Sequence, residues 1–231
     1  MDKYSINRYA RQIAIPEIGT HGQKRIAQSS VLIVGIGGLG CPVGLYLAAA
    51  GVGKIGLVDN DIVSLSNLQR QILFVDEHIG HPKVHIAQQI LIKHNPNLHI
   101  DTFQTFLNEE NASTLIEPYD LVIDCCDNFA TRYIIDKTCK HLQKNWIHGA
   151  VERFEGRVAL FTPNSLSFSE LFPDLSTTQK ANGEILGAIP GIVGSLQASM
   201  ALLLLAKINN ANKSRISTIN INPFNINTIY L

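Results

Sequence analysis

No Cys-x-x-Cys pair occurs anywhere in the 231 residues, and the four cysteines, Cys41, Cys125, Cys126 and Cys139, all precede residue 140. That spacing excludes a zinc ribbon of paired thiolates and is expected of packed, reduced thiols in a cytosolic protein. Charge bias is missing as well. Lys plus Arg and Asp plus Glu number 19 each, with no extended run of one sign, so composition offers nothing to a nucleic acid or an anionic membrane surface. The opening residues, MDKYSINRYARQ, contain no apolar core of a secretory leader, and a cytoplasmic location is expected. The longest apolar stretch, residues 191–208, is interrupted by Ser195, Gln197 and Ser199, which predicts a buried helix and no membrane span.

Apolar residues make up 45% of the chain, enough for one large core, so residues 1–231 are expected to form a single α/β domain. Two short helical patterns, residues 6–13 and 21–27, form an N-terminal cap (1–29). Alternation then begins: strand VLIV (31–34), a helix opening at GLGCPVG, and strand KIGLVD (54–59). A helix over 82–93, a strand over 98–103, a short helix over 108–116, strand DLVIDC (120–125), a helix over 128–142 and strand NWIHG (145–149) continue it. This order predicts a doubly wound, Rossmann-like, mostly parallel sheet with right-handed crossovers. EGRVALFTP (155–163) reads as an antiparallel strand, and RISTINI and INTIYL as two weak closing strands. Residues 164–189 show no periodicity and read as a long crossover loop.

VLIVGIGGLG sets Gly35, Gly37 and Gly40 in G-x-G-x-x-G spacing between a strand and a helix. Glycines there let the backbone approach a ligand, and the helix N-terminus offers free N–H groups to phosphate. Asp59 follows at the end of the next strand, where an acid accepts hydrogen bonds from ribose hydroxyls. Up to this point NAD and ATP are equally served.

DNDIVSLSNLQRQ (59–71) adds Ser66, Asn67, Gln69 and Arg70, and GHPKV adds Lys83 at the start of a helix. Two cations at the carboxyl edge of the sheet suit a triphosphate better than a nicotinamide, because nucleotidyl transfer is catalysed mainly by positioning and charge neutralisation. DCCDN brings Asp124, Asp127 and Asn128 to the same edge, where a carboxylate can hold Mg²⁺ against phosphates. Each also has a plain structural alternative: Arg70 and Lys83 as solvated cations, Asp127 as a helix N-cap, Arg11 as an ion-pair partner. His148, in WIHGAV, is expected to be a hydrogen-bonded packing residue.

Together, RYARQI, VGIGGLGCPVGLYLAAAGVGKIGLVDNDIVSLSNLQRQILF, GHPKV, DCCDN and GIVGSLQA resemble the E1-like activating enzymes of the ThiF, MoeB and HesA group over nearly the whole chain. The resemblance implies ATP- and Mg²⁺-dependent adenylation of the C-terminal Gly-Gly carboxylate of a ubiquitin-like sulfur carrier, in thiamine or molybdopterin biosynthesis. Gly35, Gly37, Gly38 and Gly40 then match the nucleotide loop, and Asp59 the ribose acid. Asn67 and Arg70 match the phosphate contacts, with Ser66, Leu68 and Gln69 lining the same segment. Lys83 matches the phosphate-binding lysine and Asp127, beside Asn128, the metal-binding and catalytic acid. Arg11 matches an arginine that reaches across a homodimer into the partner's site.

The sequence also departs from that pattern. Where many relatives carry the first of two zinc-binding Cys-x-x-Cys pairs, it reads Ser167, Phe168, Ser169, Glu170, so no zinc is expected and residues 165–186 are expected to be poorly anchored. The position at which some relatives place a cysteine that links covalently to the carrier is Lys180, so no thioester or acyl-disulfide step is expected. The altered loop keeps two other readings open: an adenylyltransferase acting on a peptide or small carboxylic acid, and a non-catalytic nucleotide-binding scaffold.

Overall fold

The computed structural model describes residues 1–173, 184–209, 211 and 213–231. Helices α1 (Lys3–Arg8), α2 (Ala10–Ile13) and α3 (Gly19–Gln28) form the N-terminal cap. The chain then alternates through β1 (Ser30–Val34), α4 (Gly40–Ala50), β2 (Lys54–Val58), α5 (Lys83–His94), β3 (His99–Phe103), α6 (Ala112–Ile116), β4 (Leu121–Asp124), α7 (Phe129–His141) and β5 (Asn145–Glu152). β6 (Glu155–Phe161), α8 (Phe168–Leu171), α9 (Ala188–Leu205), β7 (Arg215–Ile221) and β8 (Phe224–Tyr230) complete it.

One eight-stranded sheet runs in the order β3-β2-β1-β4-β5-β6-β7-β8. The first five strands are parallel and the last three antiparallel, as the sequence predicts. β1 is central, its residues Val31 to Val34 are buried, and it is apolar on both faces because helices cover both. Ile33 joins the core under α4, α5 and α9, whereas Leu32 and Val34 point to the core under α6 and α7. Val34 pairs with both Val58 and Asp124, which brings the carboxyl ends of β1, β2 and β4 to one level. That edge, where strand order reverses on either side of β1, is the ordinary ligand site of such a sheet.

The long apolar helix α9 packs against α4, β5 and β6. Half of it is buried in this chain, in keeping with a core helix, though it starts three residues earlier than the pattern indicates.

The first part of the stretch expected to be poorly anchored carries local structure. Ser167–Glu170, the stretch lacking thiolates, forms a reciprocal cap: Glu170 N donates to Ser167 Oγ (3.2 Å) and Ser167 N to Glu170 Oε2 (2.7 Å). The buried carboxylate of Asp136 on α7 then accepts from Phe168 N at 3.0 Å, Ser169 N at 3.1 Å and Ser169 Oγ at 2.9 Å. The Phe168 ring is inserted among Trp146, Phe161, Tyr133 and His148. A four-residue helix held by a partner 32 positions away has no periodicity to read. Lys180 lies outside the described residues.

Candidate active site

Gly35 leaves β1 with φ +95°, and a Cβ there would lie 2.7 Å from the carbonyl oxygen of Cys125; one on Gly40 would lie 2.1 Å from the carbonyl oxygen of Gly35. Only glycine permits this turn, which folds the loop tightly between β1, β4 and the start of α4. Asp59 braces it from β2: Oδ2 accepts from Ile36 N at 2.7 Å and Oδ1 from Asp61 N at 2.8 Å. Burial raises the pKa of Asp59, while Lys83 and the two backbone N–H groups act in the opposite direction.

The glycine loop, Asp59, Asn67, Arg70, Lys83, Asp127 and Asn128 line one cleft of about 530 Å³, a volume in the range of small-molecule sites. The polar segment enters it through a 3₁₀ turn, Leu65–Asn67, closed by Ser64 N donating to Asn67 Oδ1 (3.3 Å). Arg70 is held on that turn, its Nη1 donating to the carbonyl of Ser66 at 3.0 Å. Gly40, Ser66, Leu68 and Gln69 are not on the cleft wall. Ser66 supplies the carbonyl for Arg70, and Leu68 packs on the core. In a turn this tight successive residues face different ways, so a contiguous motif does not give a contiguous lining.

Lys83 is not a solvated cation. It is 4% exposed, and Nζ bonds Asp61 Oδ2 at 2.8 Å, with Asp61 61% exposed. The two are also tied through the backbone, Lys83 N donating to the Asp61 carbonyl at 3.0 Å. A cation in the first turn of α5 opposes the helix dipole, so neither helix stability nor burial explains it. Asp127 sits exposed at the cleft with no bond to its carboxylate from the described residues. The capping role belongs to its neighbour, Asn128, whose Oδ1 accepts from Thr131 N at 2.9 Å. Arg11 lies exposed on α2, away from this cleft and in no ion pair among the described residues.

Beneath the Asp127 loop is a buried network that sequence reasoning missed. Asp124 Oδ2 accepts from His148 Nδ1 at 2.7 Å and Arg132 Nε at 3.3 Å, while Arg132 Nη2 donates to the Cys126 carbonyl at 2.9 Å. Burial opposes the Asp124 charge, but the bond from His148 and the Arg132 guanidinium outweigh it and hold the carboxyl below its usual range. Burial depresses the His148 pKa, with Asp124 acting against that shift, so the ring is neutral and donates from Nδ1. The packing role expected of His148 is the one it has.

The thiols are unsuited to nucleophilic work. Burial pushes Cys41 up to about 12 and raises Cys125, Cys126 and Cys139 as well, so none supplies thiolate at neutral pH. Cys126 is the one that is not fully buried and lines the cleft.

The model of the ThiF family matches residues 9–231. The chain belongs to the ThiF family. A probable molybdopterin-synthase adenylyltransferase of Porphyra purpurea is 43% identical over 204 residues, covering 86% of this chain and 53% of that protein. A sulfur carrier protein adenylyltransferase of Thermus thermophilus is 40% identical over 216 residues, covering 89% and 80%. The chain therefore spans about half the length of the first ThiF-family relative and four fifths of the second. A crystal structure of E. coli MccB with MccA-N7isoASN shares the fold at TM-score 0.87 and 20% identity, covering 96% of this chain and 71% of that one.

Set beside this ThiF-family membership, Asp61, Gln71 and Arg132 are cleft residues that motif matching did not single out. Asp61 and Gln71 lie within the 59–71 stretch itself and had a signal in that membership. Arg132 had none, since its role depends on strands far away in sequence.

Proposed function

We propose that this chain uses ATP to adenylate the C-terminal glycine carboxylate of a ubiquitin-like sulfur-carrier protein, releasing pyrophosphate; two relatives named molybdopterin-synthase adenylyltransferase and sulfur carrier protein adenylyltransferase support the reading. The observation that carries the reading is that Arg70, Lys83 and an unbonded Asp127 share one cleft with the glycine loop and Asp59. The nucleophile is already an anion at pH 7, so no general base is required. The obstacle is anion meeting anion at the α-phosphorus, with more charge accumulating on the α-phosphate and on the leaving pyrophosphate. Arg70 and Lys83 counter it where charge develops, and as phosphate takes the Lys83 ammonium, the exposed Asp61 turns to water.

Mg²⁺ commonly binds through one or two carboxylates with substrate phosphates completing its shell, which a single free Asp127 satisfies; bound, the ion neutralises phosphate charge. Arg11 acts in trans from the second subunit of a homodimer. No zinc is proposed, because Ser167 and Glu170, at the position of the first thiolate pair in the resemblance, bond each other. ATP–pyrophosphate exchange tests the reading, assayed with a thiamine-type carrier, a molybdopterin-type carrier, small carboxylic acids and no acceptor. Exchange dependent on a carrier supports it, and exchange with a small acid alone, or with nothing tried, defeats it.

A further inference from the structure

Gln71 closes the polar segment and has no part in the mechanism above. Its side chain is only 4% exposed, yet it forms part of the cleft wall, with Nε2 lying 3.6 Å from where a Cβ on Gly37 would sit. Its Oε1 is the one buried side-chain polar atom among the described residues without a hydrogen-bond partner. The two fully buried glutamines of the core behave otherwise: Gln23 Oε1 accepts from Gln12 Nε2 at 2.5 Å and Gln197 Oε1 from Cys125 Sγ at 3.7 Å. An unpaired buried amide destabilises the ligand-free chain, and an apolar side chain of similar size would not.

An orphan acceptor calls for a donor. The phosphates of a nucleoside triphosphate offer only acceptors at neutral pH, whereas the ribose carries hydroxyl donors. Asp59, the expected ribose acid, is bonded to Ile36, the residue next to Gly37, so the sugar and the Gln71 carboxamide meet the same short piece of the glycine loop. The last torsion of a glutamine is soft, which lets the oxygen turn toward the cleft. We infer that Gln71 is a further nucleotide-binding residue, its carboxamide oxygen accepting a hydrogen bond from a ribose hydroxyl. This rests on the ATP reading above.

The experiment compares the full chain with Gln71→Leu and Gln71→Met, two apolar replacements of which the second is the more adaptable. Thermal unfolding without nucleotide is measured alongside calorimetric binding of ATP, 2′-deoxyATP and 3′-deoxyATP. Both variants are expected to unfold at or above the wild-type temperature while binding ATP about tenfold more weakly, the scale of one lost hydrogen bond. The wild type is expected to lose affinity for one of the deoxy analogues, and the variants to show no such preference. A lower unfolding temperature in both variants, ATP affinity within about twofold of wild type, or an undiminished preference between ATP and its analogues overturns the inference while leaving ATP binding intact. Failure of the wild type itself to bind ATP overturns the nucleotide reading and this with it.

Discussion

Replacing Lys83 by methionine separates a catalytic cation from a structural one. The lysine stem is buried and the ammonium contacts Asp61, which is itself 61% exposed. Methionine keeps the apolar stem in place and removes the charge, leaving behind a carboxylate that water already reaches. Losing an ion pair with such an exposed partner costs up to about 1 kcal/mol, and removing a cation that opposes the α5 dipole returns about 0.3–1 kcal/mol. The stability of Lys83→Met is therefore expected within about 1 kcal/mol of wild type by urea unfolding. Carrier-dependent ATP–pyrophosphate exchange is expected to fall about a hundredfold to a thousandfold, the effect of deleting one group that meets developing charge. A rate within tenfold of wild type, or a stability loss above about 3 kcal/mol, would refute the assignment and make the pair a structural bridge.

Three other outcomes follow from the same geometry. Mixing Arg11→Ala and Lys83→Ala chains, each inactive alone, is expected to restore roughly a quarter of wild-type exchange, since random pairing makes half the dimers mixed with one intact site each; no recovery after subunit exchange excludes action in trans. Asp136→Ala removes the acceptor for three bonds from Phe168 and Ser169, so a loss of about 2 kcal/mol and faster protease cleavage near residue 168 are expected, and unchanged cleavage contradicts the anchoring role. Burial depresses His148 below its ordinary 6.5 against the pull of Asp124, with Arg132 and Arg157 adding to the depression. Below about pH 6.5 the unfolded chain thus binds a proton that the folded chain refuses, and stability is expected to decline as pH falls toward the folded value. His148→Gln should flatten that decline in chemical-denaturation curves taken from pH 7 to 5, and an equally steep decline in the variant would place its source elsewhere.

Much of the fold was legible because its signals are local. A buried parallel strand is a short apolar run, and glycine after it marks the turn, so β1, β2, β4 and their helices can be read from adjacent residues. The cleft was legible to the extent that its residues fall in contiguous motifs: Gly35, Gly37, Gly38, Asp59, Asn67, Arg70, Lys83, Asp127 and Asn128 do line it. Contiguity also misled, since Ser66, Leu68 and Gln69 lie in the motif but not on the cleft wall. α8 was invisible because four residues carry no period and its acceptor, Asp136, comes from another element. Arg132 was invisible for the same reason: its meaning depends on Asp124 and on the Cys126 carbonyl, which only the folded sheet brings together.

Two kinds of polar group meet at this edge of the sheet, and the difference between them has a physical cause. Asp124, His148 and Arg132 are buried and mutually bonded, so they hold the Asp127 loop in place without a ligand. Lys83 stands against a helix dipole, Gln71 keeps an unpaired oxygen and Asp127 has no partner among the described residues. Local stability would remove all three features, and a cleft that must present charge and hydrogen bonds to an incoming polyanion needs them. On that account ATP should stabilise the wild type more than it stabilises Lys83→Met or Gln71→Leu, although without nucleotide the first is within about 1 kcal/mol of wild type and the second no less stable. Equal nucleotide-induced shifts in all three would mean that these groups are strained for some other reason.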